Sequence, residues 1–290
     1  MKVSVWGKIE NNMLNVFMVL IILITLYPII FVASSSISNP VSVLNEEVWL
    51  FPQGFSLEAY KQIFQNKMIW TSYYNTVWYT IVGTTINVTF TVMAAYALSR
   101  RSFFARNQIM FIIAFTMFFG GGIIPNFILI NNLGLYDTRW AMVLPNAISA
   151  WNLIIARTYY QGIPEEIVES AKIDGANDLK IMYKIMVPIS MPIIAVLTLF
   201  YAVTHWNAFF NAMLYLPSPE LQPLQLYLMK ILVQLSSEIS EVAGESVVDS
   251  LPPLQLRYAL IMVTILPIIS VYPFLQKYFV KGVMIGAIKG

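Results

Sequence analysis

The residues best able to do chemistry in this chain are few, and they point to recognition rather than bond-making. There is no cysteine, so thiolate nucleophiles, disulfides and cysteine metal sites are excluded. His205 is the only histidine, and no metal-binding companion stands near it. No His-Glu-x-x-His, Gly-x-Ser-x-Gly or Gly-x-x-x-x-Gly-Lys-Ser/Thr occurs. Zinc hydrolysis, serine-esterase chemistry and ATP binding in a P-loop therefore lack their residues. What remains is a set of amides, hydroxyls and rings. At about 100° per residue, Asn146, Ser149 and Asn152 share one face of a helix. Tyr201, Thr204, Asn207 and Asn211 share a face of another, with Trp206 and Phe210 beside them. Amides hydrogen-bond hydroxyl groups while rings pack on the apolar faces of a sugar, which suits a polyhydroxylated ligand. The same groups also serve as interhelical hydrogen bonds in membranes, and both uses stay open. The path residues on the first use are Asn152, Tyr201, Trp206, Asn207, Phe210 and Asn211.

These groups must be positioned by helices in lipid. Of the 290 residues 58% are hydrophobic and 11% charged, against roughly 25% charged in a soluble domain. Six stretches reach the ~20 apolar residues a spanning helix needs: 13–35, 73–99, 108–130, 140–160, 186–216 and 258–276. The first has a longer apolar core than a cleaved signal, which favours a retained span. The expected fold is all-α, a single polytopic domain of six transmembrane helices. Of the 17 Lys and Arg residues, 12 fall on one side of such a layout and five on the other. Positive charge marks the cytoplasmic side, so both termini are expected there. The net charge of +2 gives no electrostatic case for nucleic acid.

Within the spans, Thr76, Thr80, Gly83, Asn87, Thr91 and Ala94 make a stripe of small and polar residues, expected to pack against another helix. Gly120-Gly121-Gly122 and Pro125 should break the third span, either beside a translocation path or as a packing kink. Outside the membrane, 36–72 reads as a folded loop lying along the surface. The segment 217–257 reads as a polar external stretch, with 236–250 as a mobile loop or a partner-facing surface.

Apart from Arg157 near one end of the fourth, the spans hold no Asp, Glu, Lys or Arg. Ion-driven transporters usually place such a residue inside the membrane. Energy for a pump must therefore enter from outside it, and the cytoplasmic segment 163–175 is built to receive it. Pro164 suits a first turn, Glu165 and Glu166 complement the positive end of the helix dipole, and Gly175 suits a left-handed stop. The spacing predicts an amphipathic helix over 164–175, with Ile163, Ile167 and Ala171 on one face, followed by a second basic helix over 178–186.

Glu169-Ser-Ala171, Gly175, Ile185 and Pro188 resemble the Glu-Ala-Ala…Gly…Ile…Pro signature of bacterial ABC-importer permeases. Ile173-Asp-Gly-Ala176 is similar to the carbohydrate-uptake branch, as are 49–60, Trp206-Asn207 and the ending Lys281-Gly…Lys289-Gly290. Ser170 stands where alanine is usual and Val187 where leucine is commoner. The resemblance covers most of the chain and is to the maltose-type permease subunit, in the branch that imports complex oligosaccharides. It implies a non-enzymatic subunit of the bacterial inner membrane, without cofactor, forming half of a pathway. The other half would come from a second homologous permease. A cytoplasmic ATPase dimer would bind ATP, and an extracellular sugar-binding protein would deliver the oligosaccharide. Glu166, Glu169, Ser170, Ala171, Asp174 and Gly175 would meet the ATPase. The competing reading is a secondary transporter or facilitator of small polar solutes.

Overall fold

The computed structural model describes residues 5–242 and 255–270, and among them the only β-structure is an isolated bridge between Ser38 and Phe55. The chain is all-α and divides into two compact units. The first is Met1–Lys67 with Leu228–Pro267. Its α1, Val5–Ser36, holds the 25-residue candidate span Asn12–Ser36, whose most apolar 18 residues have a mean hydropathy of 2.9 and contain no buried residue. That surface is tolerable in lipid and not in water. Two short helices follow. In α2, Pro40–Leu44, the Asn39 side chain accepts from the Val41 N–H and Pro40 opens the first turn. In α3, Glu58–Gln65, Ala59 and Ile63 are buried. The segment 36–66 is thus folded, whereas 67–72, expected in the same loop, belong to the next long helix.

The second unit, Met68–Tyr227 with Ile268–Gly290, positions the site. Its leading helix α4, Lys67–Ser99, is the second one long and apolar enough to cross a membrane alone. The small-residue stripe on α4 is a packing face, with Thr76, Gly83, Asn87 and Thr91 all buried. Lipid offers no hydrophobic drive between helices, so close approach and hydrogen bonds of about 0.6 kcal/mol each must hold them. Thr76 Oγ1 accepts the Leu224 N–H at 2.7 Å, and Thr91 Oγ1 lies 2.7 Å from the Tyr201 hydroxyl. Asn87 donates to the Asn146 carbonyl at 2.6 Å, while its Oδ1 lies 2.9 Å from His205 Nε2. Gly83 is what lets the His205 ring lie flush on α4, because a Cβ there would sit 2.5 Å from Cε1.

The third apolar stretch is broken, as its glycines require. α5, Arg106–Phe115, ends well before α6, Ile123–Asn132. Gly122 precedes α6 at φ +84°, a conformation open to glycine, and Pro125 sits in a first turn that needs no N–H partner. The fourth stretch departs from a continuous helix. Only a 3₁₀ turn, Arg139–Met142, and α7, Ala150–Gln161, are helical. Pro145 disfavours helix at Leu144, and Ser149 instead caps α7. Asn146 and Ser149 therefore do not share a helical face with Asn152.

α8, Glu166–Ile173, leads to α9, Asp178–Ile181, a π-helical turn at Met182–Met186, and α10, Val187–Ile189. From there the chain bends by 82° into α11, Met191–Trp206. Pro188 and Pro192 flank the bend, and each removes a backbone donor. α11 stops at Asn207, and a short α12, Phe210–Tyr215, follows. Asn207 Nδ2 donates to the Val203 carbonyl at 2.9 Å, a local bond that competes with helix continuation. Asn207 and Asn211 are consequently not on one continuous helix with Tyr201 and Thr204.

The stretch after Pro217, expected as a polar external segment, is more helical than its composition suggests. α13 runs over Leu224–Val242, so 236–242 is helix rather than loop, and 243–250 lies outside the described residues. α14, Gln255–Ser270, covers the start of the sixth expected span; 271–276 and the ending at Lys281–Gly290 lie outside them.

Candidate functional site

α8 is defined at both ends by its own residues. The Glu165 carbonyl accepts from the Val168 and Glu169 N–H groups, and Glu166 and Glu169 lie in the first turn with Lys172 in the last. Those charges match the helix dipole at each end. At the far end Gly175 is left-handed at φ +76°. Its N–H donates to the Lys172 carbonyl at 3.0 Å, and that of Ala176 to Ala171 at 2.9 Å. These are the two bonds of a Schellman stop, which satisfies carbonyls the helix would otherwise leave bare. Asn177 then caps α9 by accepting from the Lys180 N–H. The observed helix starts two residues later than Pro164, within the usual fraying of helix ends.

One face of α8 is held by a core. Val168 and Ala171 are buried with Val92, Ala95 and Leu98 of α4, Leu153 and Ala156 of α7, Ile181 and Met186, and Leu197 and Tyr201 of α11. Ile163, Ala176 and Ile185 pack against the same cluster. Burying Val168 alone is worth about 2 kcal/mol. The inner face therefore runs through Val168 rather than Ile167, and Ala171 turns inward, away from the outer surface. Its small side chain lets α8 seat closely. Arg157 Nε donates to the Leu98 carbonyl at 3.0 Å, tying α7 to the end of α4.

The outer face is bare. Glu166, Glu169, Ser170, Lys172, Asp174 and Gly175 are exposed, and so is Ile173 at 87%. Leu179 in the next turn of chain is exposed too, so the outer surface carries two apolar side chains among its charges. Neither was among the residues the sequence was expected to place on this surface. The available signal was that they are apolar positions off the Val168–Ala171 face. Lys172 pairs with Asp178 at 3.1 Å and Arg101 with Glu165 at 3.6 Å, both exposed pairs that contribute little. Behind Pro164 and Glu165 opens a cleft of about 620 Å³, walled also by Arg100, Arg101 and Arg106.

The path residues divide into two groups. Tyr201 is buried, its hydroxyl shared between Thr91 Oγ1 and the Ser149 N–H at 3.0 Å. Asn152 is buried near the start of α7. Asn207 and Phe210 are exposed at the break between α11 and α12, and Trp206 and Asn211 are half-buried there. Trp206 stacks edge-on against Tyr73 at 6.2 Å. His205 belongs to the packing contact with Gly83 and Asn87. Among the described residues no group of three His, Cys, Asp or Glu side chains could hold a metal ion.

α8 thus joins a bare outer face to an inner face held in the hydrophobic cluster. The chain belongs to the family described as binding-protein-dependent transport system inner membrane component, which matches residues 87–285. It is thus a permease subunit of an ABC transporter and not an enzyme. It is 42% identical to the polygalacturonan/rhamnogalacturonan transport system permease protein YtcP of Bacillus subtilis (strain 168), over 98% of this chain and 99% of that one. Protein LplC of the same organism is 38% identical over 92% of this chain and 90% of its own. Among solved structures, a chain of a bacterial ABC transporter involved in import of the acidic polysaccharide alginate matches with a TM-score of 0.86. It shares 38% identity, covering 95% of this chain and 98% of that one. The secondary-transporter reading is set aside.

Proposed function

We propose that this chain forms half of the membrane pathway of an ATP-driven importer of oligosaccharides carrying uronic acid units. A second homologous permease supplies the other half, a cytoplasmic ATPase dimer the energy, and an extracellular binding protein the sugar. The observation that carries the reading is α8, stopped at both ends, with its inner face in the membrane core and its outer face bare. In this reading Glu166, Glu169, Ser170, Asp174 and Gly175 meet the ATPase, with Ile173 entering an apolar recess there. Ala171 supports them from beneath. The acidic character of the cargo is supported by the polygalacturonan/rhamnogalacturonan and alginate systems that the chain resembles.

Trp206, Asn207, Phe210 and Asn211 line the path at the α11–α12 break, with Tyr201 and Asn152 behind them. Six crossings with both termini cytoplasmic complete the layout, and a thiol probe at Lys289→Cys should stay inaccessible from outside intact cells. External labelling would overturn that orientation.

The deciding measurement uses the reconstituted complex and a binding protein loaded with either a galacturonate oligomer or a neutral oligosaccharide of equal length. ATPase activity is expected to rise several-fold more with the acidic cargo. Equal or greater stimulation by the neutral one would refute the substrate class while leaving the permease reading intact. Asn207→Ala and Asn211→Ala should each lower uptake in a complex that assembles normally. Loss of assembly alone would make them packing residues.

A further inference from the structure

The loop after α1 carries an exposed aromatic cluster that force transmission and sugar binding leave unused. Trp49, Phe51 and Phe55 are 70%, 77% and 73% exposed, with Leu50 and Leu57 also open. These rings are not on a floppy tip. Ser34 Oγ donates to the Leu50 carbonyl at 2.7 Å, and the Gln53 N–H donates to Ser38 Oγ at 3.1 Å. Asn39 N–H reaches the Gln53 carbonyl at 2.9 Å, and Ser56 N–H the Ile37 carbonyl at 2.9 Å. Gln255 Nε2 donates to both the Ser36 and Ser56 carbonyls, and the Tyr60 hydroxyl donates to Ser36 Oγ at 2.8 Å. Ser34, Ser35, Ser36 and Ser38 are all buried under this lattice.

Those bonds fix the height of the loop. Ser34 lies in the last turn of the candidate span Asn12–Ser36 of α1, just past its fully exposed apolar stretch. The Leu50 backbone, bonded to Ser34, is therefore within about one helical turn, roughly 5 Å, of the end of that span. Trp and Tyr concentrate at the membrane boundary, and an amphipathic ring is at home there. Water leaves so large a rigid apolar patch without a reason to persist. The acidic pair Glu46 and Glu47 lies just before the rings and is exposed, as suits the water side.

We propose that Trp49, Phe51 and Phe55 insert into the headgroup layer of the leaflet at the C-terminal end of α1 and set the depth of that helix. The occupant of the patch is lipid, because the loop is continuous with the membrane surface through Ser34. The inference needs only that α1 spans the bilayer and is independent of the cargo.

The absence of cysteine makes the test clean. Phe51→Cys, Trp49→Cys and, as a water-side reference, Glu46→Cys are labelled with a small environment-sensitive fluorophore. The full complex is then reconstituted in vesicles. Lipids brominated near the headgroup should quench positions 49 and 51 several-fold more than position 46, and aqueous iodide should do the reverse. Quenching of all three by iodide alone would leave the rings in water and overturn the proposal. Protection of 49 and 51 from both quenchers would mean a protein covers them, which overturns it equally. Having two probe positions guards against one variant failing to assemble.

Discussion

Gly175→Asp and Glu169→Lys are each expected to cut uptake by about tenfold or more while the chain still inserts and binding-protein affinity for sugar is unchanged. A tenfold loss corresponds to about 1.4 kcal/mol of docking energy. Gly175 sits at φ +76° with no atom within 4 Å of where a Cβ would be. Its substitution therefore meets no clash within the chain. The cost is backbone strain of about 1 kcal/mol and weakening of the two Schellman bonds. Gly175→Ala isolates that strain and should give an intermediate loss. Glu169 is exposed and lies in the first turn of α8, so lysine there reverses a charge on the outer face and opposes the helix dipole. The measurement is uptake together with retention of the ATPase through purification. Normal values of both in both variants would remove α8 from the coupling role.

Gly83→Ala should destabilise the purified complex by about 1–3 kcal/mol, the range for overfilling a packed site. The new methyl would lie 2.5 Å from His205 Cε1 and 2.8 Å from Cδ2. The ring has little freedom to retreat, because Nε2 is held by Asn87 Oδ1 at 2.9 Å and Asn87 in turn holds the Asn146 carbonyl. His205→Ala alone also costs about 1–3 kcal/mol by leaving the Asn87 oxygen unpaired. Combining the two removes the collision, so the double variant should be markedly more stable than the sum of the single effects predicts. Thermal unfolding midpoints of the complex give the comparison. Additivity within about 0.5 kcal/mol would show that the two residues do not press on each other.

How much of this was legible in advance depended on the range of the interaction. α8 could be read because its signals are local: Pro164 and the glutamates at one end, a glycine at the other. The left-handed Gly175 is what a helix stop requires. The stripe on α4 was recognisable as a packing face by its small residues, but its partners were not. Asn87 meets Asn146 and His205 across 59 and 118 residues, and no periodicity announces such pairs. Hydropathy also overstated continuity. An apolar window does not distinguish helix from apolar irregular chain, so 143–149 and the break at Asn207 were hidden inside uniform stretches. Of the face expected to hold Ile163, Ile167 and Ala171, Ile163 and Ala171 meet the core, while Val168, one residue out of phase, takes the buried place beside a half-buried Ile167. Exposed Ile173 had no local signature beyond being out of phase.

The 82° bend at Ser190 gives this subunit the layout of a crank. α8 to α10 form the throw, short and held fast by Val168, Ala171, Ile181 and Met186 in a close-packed cluster with little slack. α11 is the shaft, and Tyr201 pins it to α4 through Thr91. If α8 meets the ATPase as proposed, a displacement of the throw is expected to pass into the shaft through this cluster rather than be absorbed in it. Beyond the pin, the joint between α11 and α12 leaves Asn207 and Phe210 exposed at the far end of that lever.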